Sequence, residues 1–116
     1  MAQILGYLSD DEASAFQQYA AELRLDVTAL ANLLIVRELR RERLAALRPL
    51  HDRDLGGQGK KKIVAHQSDP ETKAAFKAHA IARDLKPSRA AAIIFRAELA
   101  ERWLAVSMDL SQFDSV

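Results

Sequence analysis

The sequence predicts a mainly α-helical chain with one two-stranded antiparallel β-ribbon, built from a strand–helix–helix unit used twice around one shared core. Three observations predict it. The phrase ILGYLSD at Ile4 returns as IVAHQSD at Ile63, and each runs into an acidic, Ala-rich stretch that ends in Phe, at Phe16 and Phe76. From Phe16 to Leu44 and from Phe76 to Leu104 the register then holds without a gap, sixty residues apart. Leu25 matches Leu85, Thr28 matches Ser88, Leu34 matches Ile94, Glu38 matches Glu98 and Leu39 matches Leu99. Finally, a lone strand followed by two helices leaves backbone N–H and C=O groups without partners, and two copies solve this by pairing their strands.

The first strand is AQILGYL, short and mostly apolar. Ser9, Asp10, Asp11 and Glu12 then signal a helix start, with negative charge in the first turn. Phe16, Tyr19, Ala20 and Leu23 come next at i, i+3, i+4 and i+7, one face of a helix from about Asp10 to Arg24. Leu25-Asp26-Val27-Thr28 breaks the pattern, and Thr28 or Asp26 can cap a second helix. That helix is expected from Thr28 to about Leu47, with Leu30, Leu33, Leu34, Arg37 and Leu44 near one side and Ile35 and Leu39 beside them. Arg37, Arg40, Arg41 and Arg43 gather toward its C-terminus, as an ordinary solvated end would. Pro49 is expected to stop it.

The stretch RPLHDRDLGGQGK holds three of the four glycines and reads as a linker. The order then restarts. KKKIVAHQ is the second strand, and Ser68-Asp69-Pro70-Glu71 opens a helix with Pro in its first turn. Phe76, His79, Ala80 and Arg83 repeat the earlier face. Leu85-Lys86-Pro87-Ser88 breaks it, and a last helix is expected from Ser88 to about Val106. Its inward residues are Ala90, Ile93, Ile94, Ala97 and Leu104, with Phe95, Leu99 and Trp103 beside them, Trp103 as core. The organisation is a first repeat over 1–47, a linker over 48–59, a second repeat over 60–107, and a tail over 108–116 that is frayed or docked on the surface.

Composition sets the outer limits. With 116 residues and 49% apolar content the chain can build one core. A half of about 45 residues would be marginal alone, so the halves should need each other. There are no cysteines, which removes disulfides and thiolate metal sites. No secretory signal and no membrane-length apolar run is present, so a cytoplasmic protein with no membrane partner is expected. The net charge is only +1, with the positive excess in the middle and second half. That is a weak nucleic-acid signal.

ILGYLSDDEASAFQQYAAELRLDVTALANLLIVREL and IVAHQSDPETKAAFKAHAIARDLKPSRAAAIIFRAEL together resemble the ribbon-helix-helix (MetJ/Arc-type) superfamily, over about two thirds of the chain. Most members dimerise from two identical chains. This one resembles a covalent version, two ribbon-helix-helix repeats forming an intramolecular pseudo-dimer, similar to TraY-type conjugation accessory proteins. The resemblance implies that the ribbon enters the DNA major groove, where each base pair shows a distinct edge. It gives Gln3, Leu5 and Tyr7 as outward residues and Ile4, Gly6 and Leu8 as inward ones, although Leu5 read alone is also a core residue.

The second strand is open to two alignments. Aligning strands at an offset of 59 turns Lys62, Val64 and His66 outward and Ile63, Ala65 and Gln67 inward. Aligning from the helix at 60 inverts every side chain. The apolar pattern favours the first, with a bulge or altered helix start near Ser68 and Asp69 absorbing one residue.

The resemblance also implies phosphate contacts at the N-terminus of each second helix, at Thr28 and Ser88, with Lys86 and Arg89 strengthening the second. Asp26 and Val27 weaken the first. Lys60 and Lys61 sit where a ribbon end would meet the backbone, and as a charge run they are equally an ordinary solvated face. Family members often carry Gly at the turn between helices, where this chain has Arg24 and Asp84. A left-handed non-Gly residue costs roughly 1 kcal/mol, which puts the family's turn in question here.

No nucleotide-binding, nucleophile-elbow or zinc-protease motif occurs. His51, Asp52 and Asp54 read as a polar loop, and His66 and His79 as structural or DNA-adjacent. No catalytic residue, metal or cofactor is expected. The leading expectation is a sequence-specific double-stranded DNA binder, a repressor or a conjugation accessory factor, with a relaxase, a toxin or copies of itself on adjacent sites as further partners. The alternative is an antitoxin or protein-interaction module on the same fold.

Overall fold

The computed structural model describes residues 2–53, 60–66 and 69–107. It is mainly helical with one two-stranded antiparallel sheet, in the order β1 (Gln3–Ser9), α1 (Asp10–Glu22), α2 (Val27–Arg41), α3 (Leu44–His51), β2 (Lys60–His66), α4 (Pro70–Ile81) and α5 (Pro87–Glu101). Residues 103–107 add a further helical turn. The sheet pairs Gln3 with His66, Gly6 with Ile63 and Ser9 with Lys60. Strand β1 packs on α5, and β2 on α2, so each strand lies over a helix from the other half of the sequence. Among the described residues no helix is long and apolar enough to cross a membrane.

Local chemistry explains the helix starts. Ser9 closes a capping box, its Oγ accepting from the Glu12 N–H at 3.2 Å while its own N–H donates to Glu12 Oε1 at 2.9 Å. Asp69 caps α4 by accepting from the Thr72 N–H at 2.7 Å, with Pro70 in the first turn. The core is the predicted one in large part. Phe16, Tyr19, Ala20, Leu30, Leu34, Phe76, Ala80, Ile93, Phe95 and Ala97 are all buried. Leu33 is not, at 46% exposed, and Trp103 is 41% exposed rather than core.

Two turn expectations are corrected. Arg24 and Asp84 do adopt the left-handed conformation, at φ 58° and 60°, so the turn survives without glycine. What offsets the strain of roughly 1 kcal/mol is a backbone bond that closes each helix. Leu25 N–H reaches back to the Ala20 carbonyl at 2.9 Å, and Leu85 N–H to the Ala80 carbonyl at 3.0 Å. Leu85 is then buried and Leu25 partly so, which adds apolar contact to each cap.

The second long helix of each half is shorter than expected. Helix α2 ends at Arg41 and α5 at Glu101, because Glu42 and Arg102 are left-handed at φ 53° and 54°. The chain then re-enters helix: Leu44 belongs to α3, and Leu104 to the 103–107 turn. Pro49 lies inside α3 rather than ending a helix, so Arg48 to His51 are helical and not linker. Residues 54–59 and the tail 108–116 lie outside the described residues.

A buried carboxylate organises each of these breaks. Glu38 is 4% exposed and Glu98 is 0%. Glu38 Oε1 accepts from the Arg43 N–H at 3.1 Å, and Oε2 from the Leu44 N–H at 3.0 Å. Glu98 Oε2 accepts from the Leu104 N–H at 2.8 Å. Each glutamate therefore caps the helical segment beyond its own break. Each is also held by the opposite half: Tyr19 O–H donates to Glu98 Oε2 at 2.5 Å, and His79 Nε2 bonds to Glu38 Oε2 at 2.7 Å. Arg37 Nη2 completes the set, 2.7 Å from Glu98 Oε1. Burial, and then the bond to Glu98, push the Tyr19 hydroxyl up to about 12.

A second inter-half anchor is Arg96, only 6% exposed. Its Nε donates to Glu12 Oε2 at 2.8 Å and its Nη1 to the His51 carbonyl at 3.2 Å. Burial would raise the Glu12 carboxyl, but the Ser9 N–H and Arg96 outweigh it and hold it below the usual range.

Close approach decides one glycine. A Cβ on Gly6 would stand 2.6 Å from Phe95 Cε2 and 3.2 Å from the Ala91 Cβ. The Phe95 ring is fully buried, with its centroid 5.1 Å from that of Phe16, so it has little room to yield.

Two variants probe these contacts. Gly6→Ala lowers unfolding free energy by about 1–3 kcal/mol in urea titrations, as overpacking does; an unchanged midpoint contradicts the tight β1–α5 contact. Tyr19→Phe costs about 1.5–3 kcal/mol at neutral pH, the range for a bond to a charged group. Because the folded-state value of Tyr19 is raised, its contribution is complete below about pH 10 and is lost as pH climbs toward about 12. The gap between parent and Tyr19→Phe therefore narrows over that window, and a gap that widens there would refute the assignment.

Candidate nucleic-acid interface

Antiparallel pairing places directly opposed residues on the same face of a sheet. One face of the ribbon carries Ile4 opposite Ala65 and Gly6 opposite Ile63, all buried against the helices. The other face carries Gln3 opposite His66, Leu5 opposite Val64, and Tyr7 opposite Lys62. Gln3, Tyr7, Lys62 and His66 are exposed, while Leu5 and Val64 are half-buried at the centre. The alignment at 59 is thus the one adopted, and the alignment that would expose Ala65 is not. Leu5 is an outer-face residue. The offset becomes 60 by the start of α4, so the extra residue is taken up between His66 and Asp69. The expected bulge or altered start falls partly on Gln67 and Ser68, which lie outside the described residues.

This outer face presents an amide, a phenol, an imidazole and an ammonium group around an apolar centre. Such groups donate and accept hydrogen bonds at base edges, and Leu and Val can touch a thymine methyl. Lys61 stands opposite Leu8, on the core side of the ribbon, but at its open end, where it is exposed. Lys60 pairs with Ser9 through the backbone.

Thr28 and Ser88 occupy the second positions of α2 and α5, both half-buried. Each helix begins one residue earlier than expected, at Val27 and Pro87. The cap residues are Asp26 and Lys86, and neither side chain makes a cap hydrogen bond. The two flanks therefore carry opposite charges at the same structural position. Lys86 is exposed, whereas Arg89 is engaged by Asp52 at 2.7 Å.

Two cationic residues escaped sequence reasoning. Lys73 and Lys77 on α4 line a cleft of about 260 Å3 together with Gln3, Leu5, Pro87 and Ser88. Their i, i+4 spacing on α4, beside the Phe76 stripe, was the available signal. A general pattern separates the two cation types. Eight of the eleven arginines pair with carboxylates, whereas Lys61, Lys62, Lys73, Lys77 and Lys86 form no ion pair among the described residues. All six lysines lie between residues 60 and 86.

Among the described residues no group of three or more His, Cys, Asp or Glu is placed to hold a metal ion. Of the HDRD stretch, His51 ends α3 and Asp52 takes Arg89, while Asp54 lies outside the described residues. His79 is a structural partner of Glu38. Comparison with protein-family models, curated proteins and solved structures finds no match to this chain.

The two ribbon faces predict unequal tolerance. Ala65→Val, on the packed face, costs about 1–3 kcal/mol by overpacking. Val64→Thr, on the outer face, stays within about 0.5 kcal/mol of the parent. Urea unfolding of both variants checks this, and equal losses would contradict the face assignment.

Proposed function

We propose that the chain is a tandem ribbon-helix-helix protein, an intramolecular pseudo-dimer, that binds double-stranded DNA sequence-specifically through the outer face of its ribbon. The observation that carries this reading is the open face with Gln3, Tyr7, Lys62 and His66 disposed about Leu5 and Val64. Two paired strands are spaced by about 5 Å, and the major groove is about 12 Å wide, so the ribbon fits with its side chains directed at base edges. Gln3 is the base reader on this reading, since its amide matches the donor and acceptor of adenine. Lys61, Lys86 and the cleft lysines Lys73 and Lys77 take phosphates. Thr28 and Ser88 contribute from the flanking helices.

The internal correspondence supports the pseudo-dimer. The left-handed residues, the buried glutamates and their partners Tyr19 and His79 all recur at sixty residues. Because the copies differ on the outer face, the DNA site need not be a palindrome. The regulated process is repression of transcription or assembly of a conjugation complex. A second reading, an interaction module of the antitoxin kind, is favoured by the apolar Leu5–Val64 centre, which is unusual in a polar-reading surface.

Binding to DNA from around the protein's own gene, titrated with salt, tests this. Affinity should fall steeply, and Lys61→Ala and Lys73→Ala should each reduce the log–log slope by about 0.9. Gln3→Ala should relax preference at one base pair by about 1–3 kcal/mol and leave the slope unchanged. Salt-independent binding, or no footprint at all, would favour the interaction module instead.

A further inference from the structure

A second surface lies along the C-terminal half of α2. Leu33, Val36, Arg40 and Arg41 form one wall of a groove of about 440 Å3, and Trp103 and Leu104 form the other. Leu33 is 46% exposed and Trp103 41%. Val36 and Leu104, both half-buried, lie between them, so two of the large exposed apolar side chains share one groove. Scattered exposed apolar residues need no explanation, but a contiguous group does.

The Trp103 ring is held in place. The Arg43 guanidinium sits 4.4 Å from its centroid, and Arg43 is fixed in turn by a bidentate pair to Glu101 at 3.0 and 2.7 Å. Arg37, 5.7 Å from the same ring, is anchored by Glu98. A pre-positioned indole loses little freedom on binding a partner.

Among the described residues the charge of Arg40 and Arg41 is uncompensated. Arg40 and Arg41 are exposed and form no ion pair among the described residues. No acidic residue among those described lines the groove. The neighbouring acids are committed elsewhere, Glu38 to His79 and Glu42 to Arg83. Arg40 also lies thirteen residues into α2, about 20 Å of helix rise from the end that flanks the ribbon.

We infer that this groove docks an acidic amphipathic helix of another protein, its apolar stripe on Leu33, Val36 and Trp103 and its carboxylates on Arg40 and Arg41. Helix-in-groove recognition supplies the geometry, and the unpaired arginines select an acidic partner over a basic one. The surface is separate from the ribbon, so docking does not depend on the DNA reading.

The chain has a single tryptophan, which makes Trp103 the reporter. The probes are three synthetic helical peptides: one of Glu with Leu at i, i+3, i+4 and i+7, one with every Glu replaced by Lys, and one with every Leu replaced by Ser. The first should shift Trp103 emission and raise the anisotropy of a labelled peptide, with affinity at least about tenfold above the other two. Arg40→Glu with Arg41→Glu, at exposed positions, should weaken it by at least about tenfold, and Leu33→Ser should also weaken it. Circular dichroism confirms that the variants remain folded. Equal binding of the Lys peptide, or no effect of the double variant, overturns the proposal. It also falls if light scattering finds a self-dimer abolished by Leu33→Ser, or if the double variant loses DNA binding instead.

Discussion

Everything in this molecule depends on the need of a short strand for a partner. Strand β1 has seven residues and cannot satisfy its own N–H and C=O groups. Only β2, more than fifty residues later, completes the ladder. Each strand then lies over a helix from the other half of the sequence, so neither half can form its core alone. Gly6 marks how closely this is done: strand backbone meets the Phe95 ring with no room for a methyl group.

The buried glutamates make the interlock specific. A carboxylate taken out of water is costly unless its oxygens are fully bonded. Glu38, and Glu98 through its Oε2, meet that condition only when both halves are present, because Tyr19 and His79 come from the opposite half; Glu98 Oε1 is left to the Arg37 ion pair. The same oxygens cap the segments after the left-handed breaks at Glu42 and Arg102. One residue type thus ends a helix, starts the next and checks the pairing of halves. A misaligned pairing would deprive both buried carboxylates of their partners from the other half.

Cations divide by role. Arginines, with planar forks suited to carboxylates, are mostly engaged by the protein's own carboxylates, as Arg96 and Arg43 illustrate. The lysines cluster in the second half, and those from Lys61 to Lys86 stay out of ion pairs among the described residues. A net charge of +1 therefore understates the local positive charge available to an anionic partner, because the lysines lie together between residues 60 and 86. Under the proposed DNA reading this leaves the ribbon and its flanks as the cationic surface, with Asp26 and Lys86 making the flanks unequal.

The sequence by itself determined the features that local periodicity and internal repetition can encode: two strands, the helices after them, their caps at Ser9 and Asp69, and the buried faces around Phe16 and Phe76. Hydrophobic alternation also favoured Lys62, Val64 and His66 as the outer face, because the apolar Ile63 matches Ile4. Tertiary structure alone decided the rest. The breaks at Glu42 and Arg102 carry no Gly or Pro signal; they exist because Glu38 and Glu98, reached by side chains from the far half, accept the N–H groups of the next segment. The same breaks turn Trp103 outward and carry Leu44 onto a separate helix, which a continuous 3.6-residue period could not foresee. Lys73 and Lys77 became candidate site residues only when β1 came to rest beside α4 and α5. Contacts between residues sixty or more positions apart leave no local pattern, because each side chain is chosen for a neighbour that only folding brings near.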